Sequence, residues 1–108
     1  MAFTAGSLAD GQVAAAAAAI YTVPALTKGY LKTLALFNTN AASQTIILRI
    51  VRSGGTPRKW KRYVLAENES AEAIDPGASL ELSAGDAITA ESTNATSVDY
   101  AITGVLET

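Results

Sequence analysis

The chain has 108 residues, 49% of them apolar and 17% charged, with a formal net charge of −2 and an acidic pI of about 4.9. This predicts a single globular domain, residues 1–108, with no general attraction to nucleic acid or anionic membrane. Because cysteine and histidine are both absent, disulfides, thiol catalysis, Ser-His-Asp triads and the common zinc sites are excluded, and neither a metal nor a cofactor is expected.

The first quarter of the chain carries mixed signals. Residues 1–12 lack a basic segment followed by an apolar core, so we expect a protein that is not exported, with this stretch as a flexible arm or an edge strand. Six consecutive alanines, Ala14–Ala19, favour a helix by propensity. Gly11 and Pro24 would keep that helix short, and the β-formers that follow favour an extended strand. Both alternatives stay open.

From Tyr30 onward the sequence reads as short strands separated by turns. Apolar and β-branched runs alternate with turn compositions such as Asp75-Pro76-Gly77, and no convincing amphipathic helix is present. This pattern predicts an all-β protein, an antiparallel β-sandwich of jelly-roll-like type with about eight short strands. The clear strands are Tyr30–Phe37, Thr45–Arg52, Lys59–Leu65, Ala71–Ile74, Ser79–Leu82, Ala87–Glu91 and Val98–Leu106.

Two of the predicted strands carry apolar residues on both faces. In Tyr30–Phe37 and Thr45–Arg52 the alternating positions give two partly apolar sides. A lone two-layer sandwich should have polar outer faces. We therefore expect a homo-oligomer, with a trimer as one candidate.

Charge is strongly segregated along the chain. All eight cations lie between Lys28 and Arg62, where no acid occurs, and nine of the ten acids lie from Glu67 to Glu107. Either the two halves fold onto each other and pair internally, or a basic face of one copy meets an acidic face of the next.

The segment Gln44–Leu65 holds six of the eight cations and the single tryptophan. Nucleic-acid binding by stacking and phosphate contacts is an unfavoured interpretation, because alternation splits the cations between two faces. An edge strand protected by charge explains the same residues, and Trp60 is more typical of packing or an interface than of a sugar site. The predicted assembly interface comprises Arg49, Arg52, Arg58, Lys59, Trp60, Lys61, Arg62 and Tyr63.

Several short motifs follow one another along nearly the whole chain. They are Leu8-Ala9-x-Gly11-Gln12, Ile20-Tyr21-Thr22-Val23-Pro24-Ala25, Leu36-Phe37-Asn38-Thr39-Asn40, Arg52-Ser53-Gly54-Gly55-Thr56, Leu82-x-Ala84-Gly85-Asp86-Ala87-Ile88 and Val98-Asp99-Tyr100-Ala101-Ile102-Thr103-Gly104-Val105. This order resembles small virion structural proteins of tailed bacteriophages. It departs from them at Ala14–Ala19 and at Pro24-Ala25, where a following glycine would be expected.

The resemblance implies a non-catalytic virion protein. The expected role is an oligomeric capsid decoration, or cement, protein that binds the outer capsid surface and stabilises it. Its partners would be further copies of itself and the major capsid protein, and its location the virion assembled in the host cytoplasm. A neck or tail accessory protein is one alternative, and a carbohydrate-binding host-recognition module using Trp60 and Tyr63 is another. No enzyme activity is expected.

Overall fold

The computed structural model describes residues 2–108 as an all-β sandwich, which confirms the predicted fold class. The strands are β1 (Phe3–Gln12), β2 (Ala18–Thr22), β3 (Lys28–Asn38), β4 (Gln44–Val51), β5 (Arg58–Leu65), β6 (Ser70–Glu72), β7 (Leu80–Leu82), β8 (Ala87–Glu91) and β9 (Val98–Glu107).

The strands form two antiparallel sheets that face each other. Sheet A has the order β1-β9-β3-β6, with β7 pairing the other end of β3, and sheet B has the order β2-β8-β4-β5. Because β6 and β7 are two pieces of one position beside β3, each sheet has four strand positions. This interleaved eight-position arrangement is that of a jelly roll.

The beginning of the chain resolves the mixed signals seen in its sequence. Residues 3–12 form β1 at the edge of sheet A, and the alanine run divides between the loop 13–17 and the start of β2. The helical alternative for Ala14–Ala19 is therefore wrong. Extended pairing of β2 with β8 and burial of Ile20 outweigh the intrinsic preference of alanine.

Four β-bulges interrupt the strand pairing, at Leu8 in β1, Ile20 in β2, Lys32 in β3 and Trp60 in β5. The bulge at Lys32 breaks the alternation of β3, so Leu31 and Leu34 both point inward, three residues apart. The simple alternation predicted for Tyr30–Phe37 is wrong beyond this point. The bulge in the β4–β5 pairing leaves Trp60 without an opposing residue.

The core lies between the two sheets and is built from aliphatic side chains. Its fully buried members include Leu31, Leu34, Leu36, Ile46, Leu48, Leu82, Ile88 and Ile102. In β9, Val98 and Ile102 are buried and Tyr100 packs against the core, whereas Leu106 is only half-buried. Gly104 lies where β3 and β9 approach most closely, and a Cβ there would overlap the Tyr30 carbonyl oxygen.

Candidate assembly surfaces

The two sheets have edges of very different character. β5, at one edge of sheet B, carries four exposed cations: Arg58, Lys59, Lys61 and Arg62. β1, at the edge of sheet A, is ten residues long and has one charged residue, Asp10, and no proline. Charges on an edge strand discourage pairing with another chain. The β5 edge is therefore protected by charge, whereas β1 presents a long and nearly uncharged edge that is interrupted by one bulge, at Leu8.

Three internal ion pairs account for part of the charge segregation. They join Lys28 to Glu81 at 3.1 Å, Arg52 to Asp86 at 3.0 Å, and Arg49 to Glu91. The hydrogen bond from Lys28 to Glu81 and the negative charge of that carboxylate raise the pKa of Lys28. The three pairs engage cations up to Arg52, the first residue of the β4–β5 turn, and acids of β7, of the loop before β8 and of β8 itself, so the two halves of the sequence do fold onto each other there.

The cations of β5 are outside these internal pairs. Within residues 2–108, no carboxylate lies within ion-pair distance of Arg58, Lys59, Lys61 or Arg62. Lys59, Lys61 and Arg62 line a shallow cleft of about 210 Å³ together with Ile47 and Trp60. Internal ion pairing therefore accounts for the charges of Arg49 and Arg52, but it leaves the cations of β5 without ion-pair partners.

The two aromatic residues of the predicted interface are partly occupied by the protein itself. Trp60 and Tyr63 are half-buried and pack against the core. Burial, and then the nearby carboxylates of Asp75 and Glu72, raise the pKa of Tyr63. Lys61 lies 6.0 Å from the centre of the Trp60 ring. Both rings therefore pack β5 against the core. The part of the predicted interface that remains exposed consists of cations.

Asp86 ties the β4–β5 turn to the loop before β8. Its carboxylate accepts hydrogen bonds from the backbone N–H groups of Ser53 at 2.8 Å and Ser83 at 3.0 Å, besides the Arg52 guanidinium. Burial acts to raise the pKa of Asp86, but these donors outweigh it and leave the pKa below its usual value. The carboxylate is a structural acceptor that fixes this end of the sandwich.

The outer face of sheet A is partly apolar. Ala35 and Ala101 are exposed and lie opposite each other on β3 and β9, and Phe37, two residues along β3, is 40% exposed. Ala5 is also exposed, but it lies toward the other end of the sheet, opposite Val105. This agrees with the expectation that the second face of β3 is not fully polar. A cleft of about 260 Å³ adjoins Phe37 and Ala101.

The described part of the chain has no cluster of three or more acidic, cysteine or histidine side chains that could hold a metal ion. It also contains no helix long and apolar enough to cross a bilayer.

No protein-family model and no curated protein sequence matches this chain. A solved structure does resemble it, with 25% sequence identity and a TM-score of 0.52 over 98% of this chain and 88% of the other. That structure belongs to work stating that "Bacillus endospore appendages form a novel family of disulfide-linked pili". The chain is therefore similar in fold, over nearly its whole length, to a pilus protein.

This likeness corrects the functional predictions. The resemblance to bacteriophage virion proteins is wrong, and so are the roles as capsid decoration, neck or tail accessory protein and host-recognition module, since the fold neighbour is an appendage protein. The capsid partner and the virion location fall with them. The physical reason is that the motifs behind the resemblance, such as Arg52-Ser53-Gly54-Gly55-Thr56 and Ala84-Gly85-Asp86, form turns and strand ends. Any jelly roll needs residues of this kind at those points.

Sequence reasoning also missed residues that shape these surfaces. Asn38 and Gln44 are fully buried polar residues that hold the loops opposite the β4–β5 turn. The Asn38 side chain donates to the Leu65 carbonyl at 2.8 Å, and Gln44 exchanges hydrogen bonds with Asn94. Their only signal was position, since each stands at the end of a strand beside a turn composition.

Proposed function

We propose that this chain is the subunit of a self-assembling, pilus-like filament held together without disulfide bonds. The observation that carries the proposal is the likeness in fold to a protein of disulfide-linked pili, which extends over 98% of this chain. The sequences of this chain and of that protein are 25% identical. A shared fold alone would be weak support, so the surfaces of this chain matter.

The free edge of β1 supplies the first supporting surface. An unpaired edge strand presents a row of N–H and C=O groups that can bond to a strand of another chain. β1 has ten residues, eight of them exposed, and its small side chains such as Ala5 and Ser7 offer little steric hindrance. Copies that pair along β1 would extend sheet A across subunits.

The outer face of sheet A is the second surface that supports the proposal. Exposed Ala35, Ala101 and Phe37 form a surface that another subunit could cover with little loss of side-chain entropy at the two alanines, because alanine has no rotamers to fix. Isolated exposed apolar residues are ordinary, but residues gathered on one face are typical of contact surfaces.

The linkage between subunits must differ from that of the similar pili. The sequence contains no cysteine, so contacts through these 108 residues cannot be disulfide bonds. Packing, backbone pairing and charge would have to hold the copies together. We also propose that the chain has no catalytic role. Asp86, a carboxylate whose pKa is lowered, is engaged by backbone donors and Arg52.

A sedimentation assay tests the proposal. The purified chain is expected to form polymer that pellets above a critical concentration. Ala5→Lys places a charge on the unprotected edge and should raise that concentration at least about tenfold. Ala78→Lys, in the exposed loop between β6 and β7, adds the same charge elsewhere and should leave it unchanged. A chain that stays monomeric at every concentration would contradict the proposal.

A further inference from the structure

The strands place seven connecting loops at two opposite ends of the sandwich, while the loop 73–79 between β6 and β7 lies between those ends, alongside β3. One end, here called the hairpin end, carries the loops 23–27, 52–57 and 83–86. The other, called the acidic end, carries the loops 13–17, 39–43, 66–69 and 92–97. The longest dimension of the molecule is 45 Å, and strands of ten or eleven residues span roughly 35 Å of it. The two ends are therefore far apart.

The hairpin end is left with a surplus of positive charge. Lys28 and Arg52 are paired there with Glu81 and Asp86. Arg58 and Lys59, the first two residues of β5, are exposed and outside the internal ion pairs. The remaining acid at this end, Glu107, accepts a hydrogen bond from the Tyr30 hydroxyl at 2.9 Å, and so points along the outer face of sheet A.

The acidic end has the opposite character. Its four loops contain Glu67 and Glu69 and no lysine or arginine, and Asp99 follows immediately at the start of β9. Among the described residues none of these three carboxylates has an ion-pair partner. The unpaired charges at the two ends thus have opposite sign, positive at the hairpin end and negative at the acidic end. Other charges that are unpaired within residues 2–108 lie between the ends, among them Lys32, Lys61, Arg62, Glu72 and Asp75.

Exposed apolar groups accompany the charges at both ends. Leu26, at the tip of loop 23–27, is 93% exposed and has a positive φ of 58°, so an aliphatic side chain lies in solvent on a backbone conformation that is unfavourable for leucine. At the acidic end the four alanines 14–17 are all exposed. Each end therefore offers a small apolar contact beside its charges.

From this arrangement we propose that copies of the chain stack end to end, with the hairpin end of one against the acidic end of the next. The inference rests on the proposed filament function and names the contact that runs along the filament. Contact between two identical ends would bring like charges together and is disfavoured. Contact between different ends is heterologous, so it cannot close as a two-fold dimer, and it extends into an open filament unless its rotation closes a ring. The filament proposed above requires the open case.

Charge reversal at each end tests the proposal, and a charge swap provides the decisive arm. Lys59→Glu and Glu67→Lys each turn an attractive contact into a repulsive one. We expect each to raise the critical concentration roughly three- to tenfold at about 20 mM salt, and much less at about 500 mM. The combined variant carries an acid at one end and a base at the other, so it should return toward the wild-type value.

Two matched controls lie away from both ends. Lys32→Glu in the middle of β3 and Asp75→Lys in the loop between β6 and β7 make the same charge changes at exposed positions without internal ion pairs. Both should assemble like the wild type, and thermal melts would establish that all five variants are folded.

The outcomes separate this contact from filament formation itself. If the wild type polymerises but Lys59→Glu and Glu67→Lys behave like their controls, or the combined variant is not rescued, end-to-end stacking by these charges is overturned while the filament function stands. If the wild type is monomeric at low salt at every concentration, both are overturned.

Discussion

Replacing Asp86 by alanine should destabilise the fold more than any other change to a single exposed loop. The side chain is 7% exposed, and its removal leaves the N–H groups of Ser53 and Ser83 without their acceptor. An orphaned donor of this kind costs about 1–3 kcal/mol. Because Arg52 covers the site with a side chain that is itself 56% exposed, water can partly replace the carboxylate, and the low end of that range applies to each donor.

The expected loss is therefore about 2–3 kcal/mol in the free energy of unfolding, or roughly 8–12 °C in Tm for a chain of this size. Chemical denaturation followed by tryptophan fluorescence measures it. Arg52→Ala is the matched variant. It removes only the half-exposed partner and should cost less than about 1 kcal/mol. Equal effects of the two changes would refute the conclusion that the backbone donors dominate.

The same group predicts a dependence on pH. Its pKa is lower in the folded chain than in the unfolded chain, so its contribution is fully present above the unfolded pKa of about 4 and is lost as the pH falls through the folded pKa. The stability difference between wild type and Asp86→Ala should therefore shrink in acid below about pH 4. A difference that stays constant from neutral pH to about pH 2 would show that the carboxylate charge is irrelevant.

Further predictions concern packing, the buried amide and the linkage between subunits. Gly104→Ala should destabilise strongly, by about 3 kcal/mol or more, because its Cβ would lie 3.0 Å from the Leu31 Cα and overlap the Tyr30 carbonyl oxygen. Gly77→Ala is a control with open space around the position but a positive φ of 82°, and should cost about 1 kcal/mol; equal losses would contradict the close approach of β3 and β9. Asn38→Ala should lower the unfolding free energy by about 2–3 kcal/mol, measured by denaturation, since two carbonyl oxygens lose a buried donor. Reductant should leave polymer yield in the pelleting assay unchanged, because the chain has no thiol; polymer that dissolves in reductant would contradict contacts made by this chain alone.

Much of the fold could be predicted from the sequence because its signals are local. Turn residues such as Pro76-Gly77 predict a turn directly, and the apolar runs of β4, β8 and β9 predict strands. The strand Ala87–Glu91 is observed at its predicted bounds. What local pattern could not give was the effect of pairing. The bulge at Lys32 shifts the inward face of β3, and the edge position of β1 depends on β9, which lies some ninety residues later in the chain.

The surfaces were harder to predict than the fold. The charge segregation was visible as a pattern, but sequence could not divide it into cations that pair internally and cations that do not. That division depends on which side chains the sheets bring together, as for Arg52 with Asp86 and Arg49 with Glu91. The prediction of functional class was wrong for a related reason. The motifs on which it rested supply the turns that a jelly roll requires, and many proteins share that fold.

Electron microscopy of the purified chain over a range of concentrations would distinguish a filament subunit from a discrete particle. We expect filaments that lengthen with concentration and persist in reductant, built from subunits with a long dimension of 45 Å. Isolated particles of that size at every concentration, or closed rings of fixed number, would contradict it.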